Sequence, residues 1–392
     1  MKTTSRPMKA AMVVAAVALI TSACGSSRSS SQQPTGKPKT GSSQVPATGS
    51  SQLLSKAKAE IARYTAIPTF TPTGPPVDAA KLKGKTILIV MHDTVADALV
   101  GIQHGIQQAG AAVGLHVESD NGQGTVSTIV QDVQQGITQH VAAIILEGVD
   151  PALIPTSVSA AIAAKIPVIT ATDGLRTGSS ADKGIFSMVS GDYTELGRVD
   201  ADTALVDSAG KPIYAVVENF DNPVSRAAIV GINEVFSTCS YCHIVATQTI
   251  EPTSWPTKIP GTTASLIQAH PNVNVVFPVV DTMALFATAG VNQAGASGRV
   301  KIISQDGSSE GTLGLVQKGT AFVADPGVSE AWEGWQVVDE VLRALSGMSP
   351  GNPVVPFRYL DNQNLAGMNL KNLGSVYGTS YVAGFKRLWG VG

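Results

Sequence analysis

Three short stretches carry residue types and spacings that do chemistry elsewhere. Cys239 to His243 read CSYCH, the spacing that attaches a c-type haem through two thiols and an iron-binding His. The same C-x-x-C pair also serves as a redox dithiol, as half of a zinc site, or as a small disulfide loop. Gly307 to Gly311 read GSSEG, a match to G-x-S-x-G, which in hydrolases exposes a nucleophilic Ser on a strand-to-helix turn. NGQG, Asn121 to Gly124, offers G-x-G but has no third Gly at the offset of a dinucleotide-binding turn.

The N-terminus narrows the compartment. Lys2, Arg6 and Lys9 form a basic region, and AAMVVAAVALI (Ala10 to Ile20) is an apolar run too short to cross a bilayer. That is the pattern of a secretory signal. It runs into TSAC, with small residues before Cys24, and resembles the lipobox of bacterial lipoproteins, with Thr21 where Leu is usual. The resemblance implies a lipoprotein signal over residues 1–24, lipidation of Cys24, and an extracytoplasmic protein anchored to the cell membrane. With Cys24 carrying lipid, Cys239 and Cys242 are the one remaining pair in an oxidising compartment, which favours a disulfide between them.

Gly25 to about Ser51 is nearly all Ser, Gly, Pro, Thr and Gln and has little to bury. A helical stretch, SQLLSKAKAEIARYTA, and a Pro-rich run, IPTFTPTGPP, follow, so residues 25–80 are expected as a flexible tether with one short helix. Charged residues make up 14% of the chain and the formal net charge is -2. Neither points to a nucleic-acid surface. After Ile20 no apolar run approaches the length of a membrane span.

The elements that must position these residues begin at about Lys81. Short apolar runs alternate with amphipathic stretches: TILIVM, LHVE, AAIIL, IPVIT and IFSMVS, then PIYAVV, HIVATQTI, VNVVFPV, RVKIIS and TAFVA. Continuous apolar runs separated by helical patterns read as parallel strands covered on both faces. The rhythm occurs twice, before and after about Asp192, so the expected fold is α/β, with two doubly wound lobes. Ligands of such sheets bind beyond the carboxyl ends of the strands.

That layout places the motifs. CSYCH falls between a helix ending near Ser237 and the strand HIVATQTI. A haem there would need its own pocket and a second axial ligand, so a structural disulfide is expected, with a redox-active pair as the alternative. All six His residues precede Ser309, so the base that follows the nucleophile in the hydrolase order is missing. Ser308 or Ser309 is then the N-cap of the next helix. No cofactor and no enzymatic activity are expected.

In order along the chain, KTILIVM, AAIIL, IPVIT, SGDYTELGR, HPNVNVVFPVVDTMA and KIISQDG resemble the type I periplasmic solute-binding proteins of the ribose-binding kind. The likeness runs from about Lys81 to the C-terminus. A signal peptide stands where the repressors of this fold carry a helix-turn-helix. The resemblance implies two parallel-sheet lobes joined by hinge crossovers, with residues 81–192 plus about 326–350 in the N-terminal lobe. Residues 193–325 plus about 351–392 would form the C-terminal lobe. It further implies a small polar solute held between the lobes, a sugar or sugar-like compound, and an ABC permease as partner.

Carried over position by position, the family's cleft falls on Asp93, Glu147, Asp173, Arg226, Trp255, Asp306 and Asp325. The pair of rings that stacks on a sugar after the first strand is replaced by Val95, Ala98 and Leu99. Carboxylates outnumber cations in the set, which also suits a cationic ligand.

Overall fold

Each apolar run becomes a strand, and the strands collect into two parallel sheets. The computed structural model describes residues 47–172, 184–351 and 353–391. The expected signal, Cys24 and Asp173 lie outside these.

The described chain enters through α1 (Ala47–Ala62), then β1 (Thr86–Met91), α2 (Asp97–Val113), β2 (His116–Asn121), α3 (Val126–Gln139) and β3 (Ala143–Glu147). α4 (Pro155–Ala163), β4 (Val168–Ala171) and β5 (Ile185–Gly191) complete the first half. α5 (Tyr193–Ser208) opens the second, with β6 (Ile213–Asn219), α6 (Pro223–Ser237), β7 (Cys242–Thr249), α7 (Trp255–Ala269) and β8 (Val275–Pro278). α8 (Asp281–Gln293), β9 (Lys301–Ile303), α9 (Glu310–Gln317) and β10 (Phe322–Ala324) end that half. The return consists of β11 (Gly327–Val328), α10 (Glu330–Leu345), β12 (Val354–Val355), β13 (Phe357–Arg358), α11 (Gly374–Tyr377) and α12 (Ser380–Leu388).

The first sheet has the order β12-β5-β4-β3-β1-β2 and the second β10-β9-β8-β6-β7. Every ladder in both is parallel. β1 and β3 are buried almost throughout, because helices cover both faces and leave no solvent side to alternate with. The expected two-lobed α/β fold is therefore the observed one.

Three stretches cross between the lobes: residues 191–193, 325–329 and 356–360. The antiparallel pair β11 and β13 joins the second and third. Gly191 lets the first crossing lie against the second, since a Cβ there would sit 2.5 Å from Val328 Cγ2. α10 packs on α2 so closely that a Cβ at Gly334 would lie 2.5 Å from the Ile106 nitrogen. Its Ser329 cap accepts from the Trp332 N–H, and that fixes where it starts.

Two boundaries differ from the sequence expectation. The tail does not stay with the second lobe: β12 pairs with β5, and α12 lies on α10. There Trp335 stacks on Trp389 at 5.3 Å, and Trp389 Nε1 donates to Asp339 Oδ1 at 2.7 Å. Nor is the stretch before Lys81 a free tether. Leu53, Leu54, Ala57 and Ile61 share one face of α1, which packs on α5, and Ala57 is fully buried.

The Cys239 and Cys242 sulfurs are bonded, in the connection between α6 and β7 as expected. His243 is taken up by β7, where its ring stacks on Tyr214. Ser309 caps α9 by accepting from the Thr312 N–H at 3.3 Å, which gives GSSEG the role of a helix entry.

Candidate functional site

The carboxyl ends of the two sheets face one another across a narrow cavity of about 30 Å³, lined from both lobes. Volume on that scale holds about two waters, so the lobes are closed on each other. Asp97 N–H of α2 donates to Thr282 Oγ1 of α8 at 3.2 Å, a direct bond between the lobes.

On the first lobe, Asp93 follows β1 and lines the cavity. Its Oδ1 accepts from the Val95 N–H at 2.7 Å, and its Oδ2 lies 2.6 Å from His92 Nδ1. Burial pushes the carboxyl up, but the His92 ring and the Val95 N–H outweigh it and hold Asp93 below the usual carboxylate range. Thr172 follows β4 with φ 56°, a left-handed conformation that a β-branched residue rarely adopts. Its N–H and hydroxyl both donate to Glu333 Oε1 of α10, at 2.9 and 2.7 Å. Burial raises Glu333 to about 7, with the Thr172 hydrogen bonds opposing.

On the second lobe, Trp255 begins α7 and is fully buried. Its Nε1 donates to the Ile250 carbonyl at 2.8 Å, and its ring meets Phe220 edge-on at 5.1 Å. The indole donor is thus satisfied internally, and the ring offers the cavity an apolar surface.

Asp306 lies between β9 and α9 with φ 115°. Its backbone is fixed by the second crossing: its N–H donates to Pro326 O at 3.1 Å, and its carbonyl accepts from the Val328 N–H at 3.1 Å. The Tyr193 hydroxyl, at the first crossing, hydrogen-bonds the Asp306 carboxyl group. Oδ1 of that group is buried and has no partner among the described residues. Burial, then nearby Asp281, pushes Asp306 well above the usual range against the Tyr193 bond. Because Ser309 supplies the helix cap, Asp306 is free of that structural duty.

The remaining candidates are not part of the cavity wall. Glu147 ends β3 wholly buried, with neither oxygen partnered among the described residues. Burial, then Glu333, raises its pKa well above the usual range. Asp325 is buried beneath the crossings, where its Oδ1 accepts from the Gly307 N–H at 3.3 Å. Arg226 is 53% exposed and pairs with Asp221 at 2.6 Å and, across the lobes, with Asp150 at 3.0 Å. It bridges the cavity mouth. Sequence reasoning passed over His92, Tyr193 and Phe220, which line the cavity. His92 and Phe220 follow the carboxyl ends of β1 and β6, the position that marks such groups, and Tyr193 ends the first crossing.

Comparison with known proteins fits this geometry. The sequence profile of the periplasmic binding protein domain matches residues 81–347. The chain belongs to that family. Over 218 residues it is 26% identical to the ribose import binding protein RbsB of Bacillus subtilis (strain 168), an alignment covering 54% of this chain and 66% of that relative. Among solved structures, it is similar to a 5-methylthioribose transporter solute binding protein from Thermotoga lettingae TMO, at TM-score 0.67 and 19% identity. That match covers 74% of this chain and 91% of the other. A Mycobacterium smegmatis structure in complex with β-D-fucofuranose aligns at TM-score 0.66 and 18% identity, covering 75% of this chain and 97% of that one. At these identities the likeness establishes the fold of a periplasmic binding protein. Among the described residues no helix is long and apolar enough to cross a membrane.

Proposed function

We propose that this protein is an extracytoplasmic solute receptor that closes two lobes over a small polyhydroxylated compound, a sugar or sugar-like polyol, and delivers it to an ABC importer. The observation that carries this reading is the cavity between the lobes, with Asp93 on one wall, Asp306 on the other and the Trp255 ring beside them. Hydroxyl groups donate to carboxylate oxygens, and the C–H faces of a sugar pack on an aromatic ring. Asp306 Oδ1, buried without a partner, is the acceptor that a ligand hydroxyl would complete. The named relatives, which concern ribose import, 5-methylthioribose and β-D-fucofuranose, support a sugar. The signal and tether ahead of the folded unit support export and anchoring at Cys24.

One feature favours a cationic ligand as the second reading: among the described residues, two carboxylates line the cavity and neither Lys nor Arg does. A thermal-shift panel of pentoses, hexoses, polyols, amino acids and polyamines separates the two. A ligand at a hundredfold its Kd adds about 2.7 kcal/mol to stability. Stabilisation by sugars or polyols supports the first reading. Stabilisation by polyamines alone replaces it with the second, and no response across the panel removes both.

A further inference from the structure

We infer that residues 63–79 form a strap that runs from one lobe to the other over the hinge and limits how far the cleft opens. The strap lies ahead of residues 81–347, the stretch that the family profile matches.

Three sets of anchors define it. At one end α1 is packed on α5 of the second lobe, and the Tyr64 hydroxyl donates to Glu195 of that helix at 2.9 Å. In the middle the strap lies along the third crossing. The Tyr359 N–H donates to the Tyr64 carbonyl at 2.8 Å, Arg358 Nε donates to the Thr65 carbonyl at 3.0 Å, and the Tyr64 ring stacks on Phe357 at 4.0 Å. At the far end it docks on the first lobe. Phe70 packs edge-on against Phe385 at 4.7 Å and tilted against Trp332 at 6.1 Å. Gln336 Nε2 of α10 donates to Thr73 Oγ1 at 3.2 Å, and the Val77 N–H donates to the Leu388 carbonyl at 2.9 Å.

Only residues 66–69 separate the hinge anchor at Thr65 from the Phe70 anchor. An extended chain spans at most about 3.6 Å per residue, so this link cannot take up a large separation. Opening the cleft must then pull Tyr64 off Phe357, draw Phe70 out of its aromatic pocket, or stop. The strap acts as a fourth connection beside the three crossings of the fold, and it favours small hinge excursions around the closed state.

The test uses the full chain with Cys24→Ser, the native disulfide intact, and spin labels on Leu153→Cys and Val230→Cys. Both positions are exposed and flank the Arg226 to Asp150 bridge at the mouth. One variant adds Gly-Ser-Gly-Ser-Gly-Ser between Ala66 and Ile67, which leaves every anchor in place and supplies roughly 20 Å of slack. Pulsed electron paramagnetic resonance without ligand should give a single narrow distance in the parent. The slackened variant should show a second population at least about 5 Å longer, within the slack supplied. Phe70→Ala, which releases one anchor without adding chain, should move the distribution in the same direction. Distances unchanged in both variants, or a parent already as broad as the variants, would show that the strap is packing and no restraint. Because no ligand is involved, the result stands apart from the proposed solute.

Discussion

Glu333→Gln should stabilise the protein, and by an amount that depends on pH. Glu333 is buried in α10 and accepts two hydrogen bonds from Thr172. Burial raises it from 4.5 to about 7, against the Thr172 bonds. The folded state therefore holds this proton more tightly than the unfolded chain does. Stability from that proton is complete below pH 4.5 and is lost as pH rises towards 7. A rise from 4.5 to about 7 corresponds to a penalty of about 3 kcal/mol for the ionised group above pH 7. Glutamine keeps the shape, carries no charge, and can accept both Thr172 donors through its amide oxygen. Urea unfolding at pH 8 should show the variant more stable by about 3 kcal/mol, and at pH 4.5 the two proteins should nearly coincide. A variant weakened equally at both pH values would refute the reasoning, because Glu333 would then be a net stabilising acceptor.

Asp306→Asn should have opposite effects on fold and function. It removes a buried acid whose neighbours are acids, so the melting point should hold or rise near neutral pH, while affinity for the best ligand from the screen falls about tenfold or more on calorimetry. Arg226→Ala opens the bridge to Asp150, a pair whose guanidinium is exposed to solvent and which is worth about 1 kcal/mol. Stopped-flow dissociation should quicken by up to about fivefold, and the difference should fade in high salt. Cys24→Ser should move the protein from the membrane fraction to the soluble fraction on cell fractionation, and retention on membranes would place the anchor elsewhere.

The strands were legible because a parallel sheet covered on both faces leaves apolar runs that need no periodicity to be seen. β6 and β8 are examples, buried almost throughout. The docking of the two chain ends was not. α1 carries its apolar face in plain view, yet nothing in a Ser- and Gly-rich leader says that α5 will receive it. α12 returns to the first lobe because Tyr381, Phe385 and Trp389 meet Trp332 and Trp335, a match between residues far apart in sequence. The same limit governs the site. The positions carried over from the family put Asp93, Trp255 and Asp306 on the cavity wall. They did not separate these from Glu147, because the last residue of a strand can face either the cleft or the helix layer, and Gly148 reaches the cavity instead. Arg226 is on the correct helix and meets the other lobe, but Asp150 and Asp221 hold its guanidinium at the mouth.

Local rules fail most clearly where the cavity is. Thr172 and Asp306 line it with positive φ angles of 56° and 115°, conformations that cost about 1–3 kcal/mol each in a non-glycine residue. Each is held by an element tied to the hinge. Thr172 is bound twice by Glu333 of α10, which follows the second crossing. Asp306 is bound by Pro326 and Val328 within that crossing, and by Tyr193 at the first. Rotation of the lobes therefore acts on the very residues that face the cavity. On the proposed reading, a ligand hydroxyl that reaches Asp306 Oδ1 satisfies a buried acceptor only when these contacts are in place, and closure is favoured by the same bond that recognises the solute.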